Sequence, residues 1–387
     1  MAAMSLLPAA SLEQDQALGP GFSHFYNNEY DQALAIFEQQ VRAQPDDATA
    51  YNAIAQAILY REMYRDGALE SELVTGSNAF LRRSRMEVSP QDKAQFMNAV
   101  NRAIYLSSQQ LQQNSKNVAA LYSLAVAHGL RANFLFLVNK SWMQALRESV
   151  AARRANDQVL EIDPGFVDAH LIHGISEYTV GCLPAYLRVL ATVDGFHGDK
   201  EDGVRQLQSV YRHGVRARFD AAILLAAIYR RDHRPEDAIP LLKTLASTFP
   251  RNYLFPFEEV QMYSDLGNKA AALRVLAEIE TALSRREPGY ARLPLARVQY
   301  ARGNLLFWYG DLDRSLEDLK LATRNTNELD LSTAIMAWLR LGQVYDLLGD
   351  RADAVEAYRM TISTAPHSEP ANEAAGYLDR PYRRKEK

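Results

Sequence analysis

The residues best suited to metal chemistry in this sequence are His170, His173 and Glu177. They follow one another at intervals of three and four residues, which on a helix places the three side chains along one face. Two imidazoles and a carboxylate so arranged can share a zinc ion. The same spacing is typical of polar groups on a partly buried helix, and no recognised metal motif includes the set. We therefore predict no metal site and no cofactor.

Nucleophilic and phosphate-binding chemistry has little support. Cys182 is the single cysteine; nothing places a histidine base against it, and we interpret it as a small buried hydrophobe. The glycines Gly195 and Gly198 have neither a preceding strand nor the lysine–serine ending of a phosphate-binding loop. Nucleophile-elbow, zinc-protease and kinase motifs do not occur in the sequence. The sequence predicts no catalytic residues and a non-enzymatic protein.

Residues 335–366 give the clearest prediction of the structural elements that would position functional side chains. This segment contains two amphipathic helices separated by Gly349-Asp350. Its large and small residues fit the tetratricopeptide repeat (TPR) pattern, W-x2-L-G-x2-Y followed by A-x3-F and P, at nearly every position. Gly342 and Ala354 are small where the two helix backbones approach each other. Such a unit cannot bury its apolar face alone, so it predicts stacked neighbours. The matching residues are Trp338, Leu341, Gly342, Tyr345, Ala354, Tyr358 and Pro366.

Related spacings recur along the chain. Tyr229 and Tyr263 are 34 residues apart, as are Ala238 and Ala272, which is the TPR period. A further unit at 303–322 follows a linker, and the segment 30–45 matches the second helix of a repeat. No convincing strand is present. We expect an all-α fold, a right-handed TPR-like superhelix of stacked antiparallel helix pairs.

We expect five segments along the chain. The tail from Arg380 to Lys387 is basic and polar, and we expect it to be frayed. The run Arg82-Arg83-Ser84-Arg85 has the charge to bind a phosphate or an anionic lipid head group, although a solvated loop is favoured. The segments are an N-terminal tail at 1–18, TPR-like helices at 19–115 with an irregular insertion at 66–88, long helix pairs with a Gly/Pro-rich signature at 116–216, regular repeats at 217–370, and a basic C-terminal tail at 371–387.

The central segment 174–207 has its own signature. Its residues are Gly174, Leu183-Pro184, Gly195-Phe196-His197-Gly198-Asp199, Gly203 and Leu207. They resemble the signature of the inclusion-body-clearance (mitochondrial outer-membrane) TPR family, and the full chain looks more like a bacterial relative. The resemblance implies a helical adaptor fold without an enzymatic centre. It implies no location, since no motif here encodes one. Read physically, Gly198 permits a tight turn and Asp199 caps the following helix.

Composition and charge limit the classes of binding partner but do not indicate the cellular compartment. A formal charge of -4 with interspersed signs argues against general nucleic-acid binding. The longest clean apolar run, 221–229, is about half a membrane span, so no transmembrane segment is predicted. The apolar start, 1–10, lacks the positive region of a signal peptide, and both a truncated export signal and an ordinary terminus fit it. Cytoplasmic and periplasmic locations therefore stay open, as does the oligomeric state.

The first-helix positions that packing leaves free are predicted to line a concave groove. They mix aromatic, amide and charged groups, as peptide grooves do, but lack the lysine and asparagine set that resembles a chaperone-tail carboxylate clamp. We expect a non-enzymatic scaffold that binds a peptide segment or a partner surface in this groove. The alternative is a carrier of a small apolar molecule or lipid, in a cavity around Gly174 to Gly203. The predicted groove residues are Ile223, Arg230, Phe257, Gln261, Arg297, Tyr300, Asn304, Phe307, Leu339, Gln343 and Asp346.

Overall fold

The computed structural model describes residues 19–69, 85–182 and 198–384, and every regular element within these ranges is a helix. The predicted all-α helical-repeat fold is confirmed. The chain divides into two compact units, Met1–Met63 with Arg85–Tyr229, and Tyr64–Ser84 with Arg230–Lys387. Several predicted features lie outside the described residues: the tail at 1–18, Arg82-Arg83-Ser84, Leu183-Pro184 and Gly195-Phe196-His197.

The first unit is built mainly from antiparallel helix pairs. Residues 19–26 are helical and pack against the helix that follows them. The other elements are α1 (Tyr30–Ala43), α2 (Ala48–Arg65, whose last two residues belong to the second unit), α3 (Pro90–Gln113), α4 (Val118–Leu137), α5 (Trp142–Ile162), a 3-10 turn (Val167–Ala169), α6 (His170–Gly181), α7 (Lys200–His213) and α8 (Arg218–Arg231, which also crosses the unit boundary).

Helix α4 is, among the described residues, the one helix long and apolar enough to cross a membrane by length and composition. Its mean hydropathy reaches 1.2, and 61% of that window is buried inside the fold. The ring of Phe134 stacks on Phe96 of α3 with 4.1 Å between centroids, so α4 is a core helix of this unit. The search for a clean apolar run missed it because His128 and Arg131, which both contact Glu148 of α5, interrupt the run.

Helices α6 and α7 touch through two glycines. A Cβ atom on Gly174 would lie 2.9 Å from the carbonyl oxygen of Gly203, and one on Gly203 would lie 2.7 Å from that of Gly174. The predicted turn and cap are present: Gly198 has φ +71°, and the Asp199 side chain accepts the backbone N–H of Asp202 at 3.0 Å. The two helix backbones are therefore in direct contact at this crossing.

The second unit contains the regular repeats. Its helices are α9 (Pro235–Thr248), α10 (Leu254–Asp265), α11 (Lys269–Ser284), α12 (Leu295–Trp308), α13 (Leu312–Arg324), α14 (Leu331–Leu348), α15 (Arg351–Thr364) and α16 (Glu369–Asp379), with a 3-10 turn at Thr326–Glu328. Helices α10 and α11, α12 and α13, and α14 and α15 form three successive hairpins, and α16 packs on α15. Gly349 ends α14 with φ +88°, as the sequence predicts.

Helix α16 occupies residues that we expected to begin a basic tail. Ser368 caps it by accepting the N–H of Ala371 at 3.2 Å, and Pro370 fits its first turn. Ala371 and Ala374 are buried against the rest of the unit. The small apolar residues of this short helix are too few to show a clear periodic signal in the sequence, but they suffice for a close contact with α15.

Three hairpins share one contact between their helices. A Cβ atom on Gly342 would lie 2.5 Å from Cε1 of Tyr358, and one on Gly303 would lie 2.8 Å from Cγ of Leu319. The same relation holds near the N-terminus, where a Cβ on Gly21 would lie 2.3 Å from Cε1 of Phe37. In each pair the large residue comes 16 positions after the glycine. The missing Cβ therefore makes the space that the large side chain of the second helix fills.

We expect Gly342→Ala to destabilise the second unit by about 1–3 kcal/mol, because the added methyl group overlaps a buried ring whose position is fixed by packing. The measurement is the urea unfolding midpoint. Gly376→Ala is the matched control. Gly376 lies within α16 with nothing within 4 Å of the added Cβ, so this variant should gain about 0.5–1 kcal/mol from helix propensity. A Gly342→Ala variant as stable as the wild type would contradict the contact.

Candidate partner-binding site

The first helices of successive hairpins in the second unit are linked by paired side chains. Arg297 of α12 donates from Nη1 to Oδ2 of Asp330 at 2.8 Å, and its guanidinium carbon lies 5.5 Å from the ring centroid of Phe257 on α10. Asp330 also caps α14 by accepting the N–H of Thr333 at 3.0 Å. Because each partner sits on a different hairpin, these contacts fix the side chains of the inner face relative to one another.

A buried guanidinium makes the next link. Arg340 of α14 donates from Nε to Asn304 Oδ1 at 2.8 Å and from Nη1 to Gln343 Oε1 at 2.6 Å. Its guanidinium carbon lies 4.3 Å from the ring centroid of Phe307 and 4.7 Å from that of Trp308. Amide oxygens and aromatic faces together satisfy a charge that would otherwise be costly to bury.

Asp346, near the end of α14, joins three parts of the unit: α14 itself, α15 and the residues that follow α16. Its carboxylate accepts from Arg351 Nη1 at 3.0 Å, from the Tyr358 hydroxyl at 2.8 Å, and from the backbone N–H of Tyr382 at 2.7 Å. Its side chain is only 1% exposed. Burial and the hydrogen bond to Asp346 raise the pKa of Tyr358 above its ordinary value. Charge-assisted hydrogen bonds of this kind are about twice as strong as neutral ones.

Residues 380–384, called here the tail segment, leave the end of α16 and lie on this cluster. The Tyr382 ring is 6.0 Å from the Phe307 ring and 5.3 Å from that of Tyr377. The Arg384 guanidinium carbon lies 5.2 Å from the Phe307 centroid, and Nη2 donates to the Phe307 carbonyl oxygen. The expectation of a frayed tail is therefore wrong for 380–384. Composition identified the segment as polar and charged, but it could not identify the surface that holds it.

The predicted groove residues occupy different environments. Ile223 belongs to the first unit, where it is half-buried on α8, and the other ten belong to the second. Phe257, Gln261, Arg297 and Tyr300 are half-buried, and Asp346 carries the carboxylate described above. Arg230, Asn304 and Gln343 are buried polar residues, with Arg230 Nε donating to Asp265 at 3.1 Å. Phe307 and Leu339 are buried in a hydrophobic cluster.

The expectation of an open groove must be corrected at the five buried positions, Arg230, Asn304, Phe307, Leu339 and Gln343. Helical spacing shows which residues lie on the same face of a helix, but it does not show whether another part of the chain covers that face. At Phe307 the cover includes Arg340 and the tail segment. Whether the predicted set contacts a partner stays a prediction.

Sequence reasoning missed Arg340, Glu373, Tyr382 and Arg384. Arg340 lies between two core leucines in the sequence, and it is itself only 7% exposed, although a charged residue is rarely buried. Glu373 accepts from Gln343 Nε2 at 3.3 Å and from the Tyr377 hydroxyl at 2.7 Å. A usable signal did exist in the tail: Tyr382 and Arg384 are two residues apart, which places both on one side of an extended chain.

The candidate metal residues of the first unit are used structurally. Glu177 accepts from Arg153 Nη2 at 3.0 Å and from the backbone N–H of Gly198 at 2.7 Å. Nε2 of His173 lies 2.8 Å from an oxygen of Asp157, and burial lowers the pKa of this histidine. Across 19–69, 85–182 and 198–384, no group of three or more His, Cys, Asp or Glu side chains is arranged to hold a metal ion.

Asp220 of α8 is the carboxyl group with the clearest perturbation in the first unit. The Tyr26 hydroxyl donates to its Oδ1 at 3.0 Å. Burial raises the pKa of Asp220 from its ordinary 3.8 to about 6, and the charge of Asp168 adds to the effect. Asp168 itself holds the turn before α8, since its carboxylate accepts the backbone N–H groups of Val215, Arg216 and Ala217.

Comparison with known proteins places one repeat in a family. Residues 336–368 match the tetratricopeptide repeat profile, so α14 and α15 form a tetratricopeptide repeat hairpin. A search of curated protein sequences found no significant match. The closer resemblance of residues 174–207 to the inclusion-body-clearance family stays a prediction, as does a bacterial origin.

Several solved structures share the helical-repeat arrangement. Yeast Tom70 is 12% identical, with 95% of each chain covered and a TM-score of 0.42. Human IFIT1, solved as a dimer with PPP-AAAA, is 14% identical, with 96% of this chain and 83% of that chain covered and a TM-score of 0.46. A tetratricopeptide repeat protein from Parabacteroides merdae is 13% identical, with 84% and 99% covered and a TM-score of 0.32.

We expect Arg340→Met to destabilise the second unit by about 1–3 kcal/mol, because the buried oxygens of Asn304 and Gln343 each lose a donor. The loss of stability is measured by chemical unfolding followed by tryptophan fluorescence, since the Arg340 guanidinium lies against Trp308. Arg359→Met, at an exposed position of α15, is the control and should change stability by less than about 0.5 kcal/mol. Equal losses in the two variants would contradict a special role for Arg340.

We expect the first unit to lose about 1–3 kcal/mol of stability between pH 4 and pH 6, through Asp220. The folded pKa lies above the unfolded one, so folding takes up a proton. The contribution is full below the unfolded pKa and is lost as pH rises through the folded pKa. The measurement is the unfolding midpoint against pH. Asp220→Asn should remove this slope, whereas Glu161→Gln, at an exposed site of α5, should keep it. An unchanged slope in Asp220→Asn would refute the assignment.

Proposed function

We propose that this chain is a non-enzymatic scaffold that binds a protein partner as an extended segment along the first helices of the second unit. The observation that supports this most directly is the tail segment. A stretch of backbone outside any helix, which begins with the extended residue Arg380, lies on this face and donates the N–H group of Tyr382 to the carboxylate of Asp346. A face that holds one extended segment has the chemistry to hold another. The tetratricopeptide repeat match at 336–368 agrees with a role in protein interaction.

The inner face of α10 and α12 is where we place the partner. Phe257, Gln261 and Tyr300 are half-buried, so each offers accessible surface while its position is restrained by neighbours. Arg297 is held by Asp330, so its guanidinium stays beside the Phe257 ring. Restraint of this kind reduces the ordering cost that a binding surface incurs when a ligand arrives.

The mixture of groups favours a peptide over other ligand classes. Aromatic faces and amides can contact side chains of an extended segment, and carboxylates can accept its backbone N–H groups. The formal charge of -4 and the pairing of Arg230 and Arg297 with acidic residues leave little basis for phosphate-backbone binding.

The test starts from peptides selected by phage display on the full-length protein. Their affinities are then measured by fluorescence anisotropy for the wild type, Phe257→Ala and Tyr300→Ala. We expect each variant to bind at least 10-fold more weakly, about 1.4 kcal/mol, since aromatic residues at the centre of an interface carry much of the binding free energy.

The control is Glu278→Ala, at an exposed position on α11, the second helix of its hairpin. It should leave the affinity unchanged. Circular dichroism checks that all variants are folded. If both aromatic variants fold and bind as the wild type does, the partner does not use this face.

A further inference from the structure

We infer that the tail segment is an internal stand-in for the partner, and that the partner is a protein segment carrying an aromatic residue two positions before an arginine. The inference rests on the proposed function, because it concerns the same face, and it adds the sequence class that the face recognises. In this chain the pattern is Tyr382-Arg383-Arg384.

The backbone contact is of the kind that an extended ligand makes. The N–H group of Tyr382 donates to Asp346 Oδ2 at 2.7 Å. The carboxylate is held for this purpose by Arg351 and by the Tyr358 hydroxyl, so it does not need to reorganise when a segment arrives. A backbone donor carries no sequence information, so this contact supplies affinity for extended segments in general.

The side-chain contacts supply the selectivity. Residues i and i+2 of an extended chain point to the same side, and here both Tyr382 and Arg384 reach the Phe307 ring. The guanidinium of Arg384 lies over that ring and also donates to the Phe307 carbonyl oxygen. Arg383, between them, is exposed.

The end of α12 provides a second reason for an arginine at this position. The last carbonyl groups of a helix lack intrahelical donors and carry a partial negative charge. Phe307 lies one residue before the end of α12; its carbonyl oxygen accepts the N–H group of Gly310 at 3.0 Å, and its second lone pair, at the negative end of the helix, receives Arg384. Gly310 follows, and a Cβ atom there would lie 3.3 Å from Arg384 Nη1, so the glycine leaves space for the guanidinium.

The tail segment is held more weakly than the helices beneath it. Pro381, Arg383 and Arg384 are exposed, and Tyr382 is half-buried. A segment joined to its site by a short connection has an effective concentration in the millimolar range. It therefore occupies the site by default, and a partner that also contacts Phe257 and Tyr300 can displace it.

The experiment uses a variant that ends at Asp379 and a fluorescein-labelled synthetic peptide with the sequence of residues 380–387. We expect the shortened protein to bind this peptide at least 10-fold more tightly than the full-length protein, whose own tail competes. Peptides with Tyr382→Ala or Arg384→Ala should bind at least 5-fold more weakly. The matched control is the Arg383→Ala peptide, which loses the same charge as Arg384→Ala but should bind as the parent does.

Several outcomes would overturn the inference. Equal binding by the two proteins would show that the tail does not occupy the site. Equal weakening by Arg383→Ala and Arg384→Ala would reduce recognition to net charge. If light scattering finds a dimer of the full-length protein that the shortened form lacks, the tail binds a second copy and not its own site.

Two further measurements keep the result interpretable. If the shortened protein loses helicity, the full-length Tyr382→Ala, Arg384→Ala double variant replaces it and should bind the peptide more tightly than the wild type. Failure of the tail peptide to bind, while Phe257→Ala and Tyr300→Ala still weaken the selected peptides, would reject this inference and leave the proposed function standing.

Discussion

The hairpins of this protein depend on how closely their two helices can approach. Where a glycine lies under a large side chain of the second helix, as Gly342 lies under Tyr358, the missing Cβ sets the distance between the helix axes. This distance determines which other side chains of the two helices can contact each other. Tyr358 reaches Asp346 with its hydroxyl because its ring lies close against the first helix at Gly342. The hydrogen bond between Tyr358 and Asp346 therefore depends on the close approach of the two helix backbones.

Polar side chains then link one hairpin to the next. Arg297 with Asp330, and Arg340 with Asn304, each join residues about one repeat apart. Such contacts between neighbours are what a repeat protein has in place of a single central core. They also restrict the motion of side chains on the surface, because a side chain that is already paired within the chain has less freedom to move. The residues that stiffen this surface include those through which we propose that it binds a partner.

Much of the fold could be predicted from sequence. The residues 335–366 carried a nearly complete repeat pattern, and the break at Gly349, the cap at Asp199 and the close approach at Gly342 all follow from local rules about φ, hydrogen bonding and size. The burial of Arg340 and Phe307 could not be predicted in this way. It depends on residues 36 to 77 positions away in the chain, such as Asn304 and Arg384, whose approach no local pattern encodes. The sequence predicted the face as a stripe on each helix, but it had no means of showing which part of that stripe the chain itself covers.

The contacts of Glu177 have a consequence for how α6 and α7 are held together. Its carboxylate joins α6 to the N–H group of Gly198, and Gly174 and Gly203 meet at the α6–α7 crossing. A side chain at either crossing glycine would push the two helix backbones apart, and it would strain the Glu177 contact at the same time. Displacing one helix along the other therefore costs a charged hydrogen bond and a close backbone contact together.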